Sequence, residues 1–203
     1  MINKSFLIFL ISFQFSYFLG QNNNSRWNNE DYAIHNYKSF QKLDIIHQEI
    51  NRHNVDFNLL NAAIFYATNI QRSNYKRNAF IHSKSLEKAA QNHSEDMVKF
   101  NFYSHSSKVK GKKTMSNRLN NVGIVNAYMA ENIFDFFLTN PTYWTLAIGL
   151  VDGWMKSKGH KANILNKDLI YLGCGSKYYL NKQWPDYFYV KSTQNFSSKS
   201  GSL

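Results

Sequence analysis

Residues 151–166 read VDGWMKSKGHKANILN. Leu150, Val151 and Trp154 fall within about one helical turn of one another and make an apolar helix face. Gly159 stands where such a helix would stop, because glycine enters the left-handed C-cap without steric cost. His160 follows at once, so the sequence predicts an imidazole held by a rigid helix end and turned toward a cleft. Upstream, Thr142 is a candidate N-cap for the same helix, with Leu146, Ala147 and Met155 extending the inward face.

Working outward, residues 169–179 and 186–196 read as strands, joined by a turn at 181–185. Residues 130–137 are an apolar run that suits a strand or a short helix start, and 116–122 a short helix. Ser85 is a candidate cap for a helix running to about Phe100, whose apolar face is Leu86, Ala89, Ala90, His93, Met97 and Phe100. His93 on that face is expected to point inward as a structural histidine, bonded to backbone or to a polar neighbour. Asp56 can cap an earlier helix with Leu59, Leu60, Ala63, Ile64 and Ala67 buried. Residues 31–52 place Ile34, Tyr37, Phe40, Leu43, Ile46 and Ile50 at spacings of three and four. That pattern predicts an amphipathic helix, packed on the domain or docking a partner. Residues 21–30 are polar and read as a disordered leader. Residues 1–20, with Lys4 ahead of an apolar run, read as a secretory signal, and no later segment approaches membrane-spanning length. Helices followed by a late hairpin indicate an α+β domain.

The chain has 203 residues, which favours one domain with appendages, and 43% hydrophobic residues with 16 Phe and 13 Tyr suffice for a sizeable core. The net charge of +11 favours anionic partners, such as lipid headgroups or cell-envelope polymers. No nucleic-acid motif accompanies that charge, so nucleic acid is not expected as a partner. The one dense cluster, Lys108, Lys110, Lys112 and Lys113, reads as a solvated loop. Cys174 is the single cysteine, so no intramolecular disulfide can form, and its apolar surroundings predict a small buried hydrophobe. No G-x-S-x-G sequence is present, and no Cys-His signature surrounds Cys174.

Four ordered stretches carry a family resemblance. Trp154, Ser157, Gly159, His160, Asn163, Ile164 and Leu165 resemble a W-x-x-S-x-G-H-x-x-N-I-L signature. Residues 92–97 (NHSEDM) resemble H-S-x-D-M, residues 102–106 (FYSHS) resemble F-x-S-H-x-S, and residues 130–133 (AENI) resemble G-E-N-I. Together they resemble the CAP superfamily of cysteine-rich secretory, antigen 5 and pathogenesis-related 1 proteins, and more closely its bacterial SCP-like branch. The resemblance covers residues 56–197 and implies a three-layer α-β-α sandwich with a small antiparallel sheet there; residues 21–55, the leader and N-terminal helix, and the tail at 198–203 lie outside it. Secretion, whether extracellular or periplasmic, is the implied location.

By the same resemblance, His105, Glu131 and His160 line a cleft, and His93, Trp154 and Asn163 are structural. The second acidic residue of eukaryotic members is missing, since Met155, Lys156 and Ser157 occupy its region. Ala130 replaces the usual glycine before the glutamate, and a positive φ there would be strained. Two imidazoles and a carboxylate suit zinc or another divalent cation, with His105 and His160 as ligands and Glu131 either a third ligand or the orienter of a histidine. The expectation is a weak exchangeable site, with no cofactor required. The missing acid and the lack of a defined nucleophile favour a secreted protein that binds a lipid or envelope component. The alternatives are a metal-dependent hydrolase or peptidase using His105, Glu131 and His160, and a module that docks partners through residues 31–52.

Overall fold

A computed structural model describes residues 26–201; the signal expected at 1–20 lies outside them. Helix α3 (Phe57–Asn74) begins where expected, with the Asp56 carboxylate accepting from Leu59 N. Helix α4 (Lys84–Lys99) starts earlier than predicted. Ser83, not Ser85, caps it by accepting from Leu86 N, while Ser85 is buried. The sheet has the order β1-β3-β4-β2, formed by Ile81–His82, Tyr171–Tyr179, Phe188–Ser197 and Met129–Leu138. β3 and β4 pair antiparallel as the late hairpin predicted; β2, left open as strand or helix, pairs antiparallel with β4, and the two-residue β1 adds a parallel edge.

Glycines and rings set the spacing of the layers. A Cβ on Gly173 or Gly175 would stand 2.0 Å from the backbone nitrogen of Glu87 or Gln91, so α4 lies directly on β3 at these two positions. Ser94 Oγ donates to Gly175 O at 2.9 Å across this contact. On the opposite face, Gly149 and Gly153 of α6 (Tyr143–Lys156) leave room for the rings of Phe136 and Phe134 from β2. Helix α3 packs beside α6, completing the three-layer α-β-α sandwich. Trp154 is fully buried in the core between α6 and the sheet.

The region after α6 departs from expectation. The helix does not run on to a glycine cap. It ends at Lys156, Ser157 turns extended (φ −91°, ψ 124°), and a new helix α7 (Lys158–Leu165) begins. Gly159 lies inside the first turn of α7, outside the left-handed region, and His160 is the third residue of that helix. The break at Ser157 therefore aims His160, and Gly159 does not.

The single helix expected over 31–52 is also broken, into α1 (Asp31–Ile34), α2 (Tyr37–Phe40) and a 3₁₀ turn (Asp44–His47). His35 is extended, and Asn36 caps α2 by accepting from Lys38 N and Ser39 N. Asparagine competes for backbone donors in this way, which ends one turn and starts another. The apolar residues still face inward: Phe40, Ile46 and Ile50 are buried against the core, whereas Ile34 is 71% exposed. Glu49 bridges to Thr142, and Ile50 N donates to Pro141 O. Part of the expected leader is ordered too, since Trp27 is buried among Tyr32, Phe40 and Tyr66. The tail is tied as far as 201, where Ser198 N donates to Tyr128 O and Ser83 Oγ donates to Ser200 O.

Candidate functional site

Helix α4 ends in a left-handed Asn101 (φ 47°), and Phe102 N bonds back to Met97 O. This cap turns the chain so that Phe102 packs on Met97 and Ile133 while the following residues cross the end of the sheet. His93, on the buried face of α4, is fully buried, and its Nε2 donates to Ser104 O at 3.1 Å. Burial lowers its pKa to about 4, against the opposing pull of Glu131, so it is neutral at pH 7. His93 thus holds the loop that presents His105.

His105 is more than half exposed, but its Nδ1 lies 2.9 Å from Glu131 Oε1. Glu131 is in β2, with a side chain only 2% exposed, and faces the α4 side of the sheet in register with Asn195 and Gly173. Ala130 sits in regular β2 without positive φ, so the alanine carries no strain there. The glutamate has a partner that the sequence reading missed. Arg118, from α5 (Met115–Asn120), donates Nη2 to both carboxylate oxygens, at 2.8 and 2.7 Å. Arg118 is as buried as Glu131, and its Nη1 donates to Lys112 O at 3.0 Å. Burial alone would raise the Glu131 pKa. The His105 hydrogen bond and the Arg118 charge outweigh burial and hold the carboxyl below its ordinary range. The available signal was a single arginine on a short helix after a Thr114 cap, and nothing in its spacing distinguishes it from a surface residue.

His160 comes from α7. Its backbone oxygen accepts from Asn132 Nδ2 at 3.2 Å. Asn163 Nδ2 donates to Asn132 Oδ1 (2.9 Å) and to Glu131 O (3.4 Å), tying α7 to β2. Asn132 Nδ2 also donates to Gln194 Oε1, and Gln194 Nε2 to Thr68 Oγ1, carrying the polar chain across this face of the sheet to α3. Burial, and then the proximity of His105, lower the His160 pKa.

The remaining candidates separate cleanly. Lys112 pairs with Asp96 at 2.9 Å, and Lys108 Nζ donates to Asn101 O at 3.1 Å and lies 5.7 Å from the centre of the Phe102 ring. Two of the four clustered lysines thus fasten the loop to α4 and to the turn that follows it, where a solvated loop was expected. Ser104 Oγ accepts from Ser106 N, while the His105 ring turns to Glu131. Cys174 is buried, and burial pushes its thiol well above the ordinary range.

Metal binding can be tested against this donor set. Both Glu131 oxygens are engaged by Arg118, and one also by His105, so the carboxylate does not fit as a ligand. Among the described residues, no group of three or more His, Cys, Asp or Glu side chains is arranged to hold a metal ion.

A family model described as the cysteine-rich secretory protein family, CAP, matches residues 65–191, more than half of the chain. The uncharacterized membrane protein YlbC of Bacillus subtilis is 35% identical over 97 residues, which are 45% of this chain and 25% of that protein. An extracellular protein containing an SCP domain from Bacillus anthracis is 31% identical, with a TM-score of 0.54 over 71% of this chain and 42% of that one. A cysteine-rich secretory protein from Staphylococcus aureus is 15% identical, with a TM-score of 0.47 over 70% of this chain and 39% of that one. The chain therefore spans a quarter to under half of the length of these relatives. No helix among the described residues is long and apolar enough to cross a membrane. With the matched span running from within α3 to within β4, the α-β-α sandwich and the likeness to the anthracis SCP domain together, this chain belongs to the CAP family of cysteine-rich secretory proteins.

Proposed function

We propose that this domain is an exported, non-enzymatic binding module whose cleft presents His105 and His160 to a ligand. The observation that carries this reading is the state of Glu131. A metal-dependent hydrolase built on His105, Glu131 and His160 would need the carboxylate free to take a proton or to ligate the metal. Here Arg118 and His105 occupy its oxygens and lower its basicity. The ligand class is an anionic component of the cell envelope, a lipid headgroup or polymer, in keeping with the net charge of +11. A divalent cation binds only weakly, through the two imidazoles, with Glu131 orienting His105 rather than coordinating. When bound, such a cation would add a positive centre able to attract an anionic group. The alternative of docking partners through residues 31–52 is disfavoured, because Phe40, Ile46 and Ile50 are already spent on the core.

Calorimetric titration with zinc tests the cleft. The parent protein should bind weakly, and His160→Ala should lose binding while keeping its melting temperature. Equal binding by both would place the metal elsewhere. No binding by either would leave an organic ligand as the sole occupant of the cleft.

A further inference from the structure

We propose that Arg118 is a positioning residue that fixes which nitrogen of His105 faces the cleft. The inference rests on the cleft reading above but concerns an atom-level property that can be measured without any ligand. A neutral imidazole carries its proton on one nitrogen, and the bond made by the other ring atom decides which. His105 Nδ1 faces Glu131 Oε1 at 2.9 Å. An ionised carboxylate only accepts, so Nδ1 must carry the proton, and Nε2 is left with its lone pair toward the exposed side. A protonated carboxyl could instead donate to Nδ1, and the tautomer would invert.

Glu131 is only 2% exposed, and burial by itself favours the neutral acid. Arg118 supplies a full positive charge against both carboxylate oxygens. Its guanidinium is equally buried, reaches both oxygens, and is anchored through Nη1 to Lys112 O. An arginine cannot deprotonate in this setting, so its charge is permanent. The neighbouring His93 is neutral and bonded to Ser104 O, so it does not replace that charge. The chain from Arg118 to Glu131 to His105 thus converts a buried ion pair into a lone pair presented by an exposed ring.

Long-range proton–nitrogen correlation spectra of the imidazoles, recorded on the folded protein near pH 8, test this. The parent should show His105 with the proton on Nδ1. Arg118→Gln keeps a donor to Glu131 but removes the charge. It should shift His105 to a mixture or to the Nε2-protonated form. Arg118→Lys restores the charge and should return the parental signature. Where zinc binds the parent, Arg118→Gln should weaken it about 10- to 100-fold, the usual effect of losing an orienting partner. A parent with the proton on Nε2 would overturn the proposal, even if neither variant folds. A folded Arg118→Gln protein with an unchanged signature would overturn it as well. Absence of zinc binding by the parent, with the tautomers behaving as stated, would sink the metal part of the cleft reading and leave the role of Arg118 standing.

Discussion

The buried His93 should make the domain acid-sensitive well above the range where carboxylates titrate. Its folded pKa is lowered from 6.5 to about 4, mainly by burial. In the unfolded chain it takes up a proton near the unperturbed value of about 6.5. Between these values the unfolded state holds more protons, so stability rises with pH. The contribution is complete above about pH 6.5, falls as pH drops toward about 4, and changes no further below that. A displacement of about two and a half units, at roughly 1.36 kcal/mol per unit, amounts to about 3 kcal/mol. His160 is lowered in the same direction and adds to the same window. Glu131 is lowered relative to a free carboxyl, so its contribution is lost only as pH falls below about 4.3, which separates the two effects. The assay is urea unfolding from pH 7.5 down to pH 4, comparing the parent with His93→Gln, which can still donate to Ser104 O but does not titrate. The variant should lose about 3 kcal/mol less than the parent over that interval. A difference under about 1 kcal/mol would refute the reasoning. It would mean that the imidazole becomes charged inside the fold, with Glu131, 4.0 Å away, stabilising it.

Trp154→Ala should cost about 3–5 kcal/mol, the range for deleting a fully buried aromatic, and an unchanged melting temperature would contradict the packing described. Gly175→Ala should destabilise by about 3 kcal/mol or more, because its Cβ would lie 2.0 Å from Gln91 N and only a shift of α4 relieves it. Gly159→Ala should do the opposite and stabilise by up to about 1 kcal/mol, since Gly159 is helical with open space around it; thermal unfolding that showed a loss would restore the glycine-cap reading. If the segment at 1–20 is a secretory signal, mass spectrometry of exported protein should find a chain beginning near Gln21, and an intact Met1 on most molecules would sink that expectation.

The order of elements was legible along the chain because each leaves its own period. The apolar positions of α3 and α6 recur at helical spacing, Asp56 and Thr142 cap them as polar residues at helix starts do, and the late strands are bounded by turn residues. The motifs likewise singled out His105 and Glu131, which the structure joins by a hydrogen bond. Local rules failed where two local signals compete. Gly159 suggested a cap, but a glycine ends a helix only if the backbone turns left-handed, and Ser157 had already broken it. The spacing over 31–52 was correct for burial and wrong for continuity, because burial against α3 and α6 does not require an unbroken helix.

By itself, the sequence determined α3, α6, β3 and β4 and their inward faces, since these follow from residue type and period within one element. Only the tertiary structure decided what Glu131 does. Its arginine lies 13 residues away in the chain, in a separate helix, and sequence spacing carries no information on their distance. The energetic meaning of the pair comes from desolvation: both side chains are 2% exposed, where a charge must be matched or neutralised. That burial is a property of the packed layers, and it turns a carboxylate that could have served as a ligand or base into the fixed acceptor behind His105.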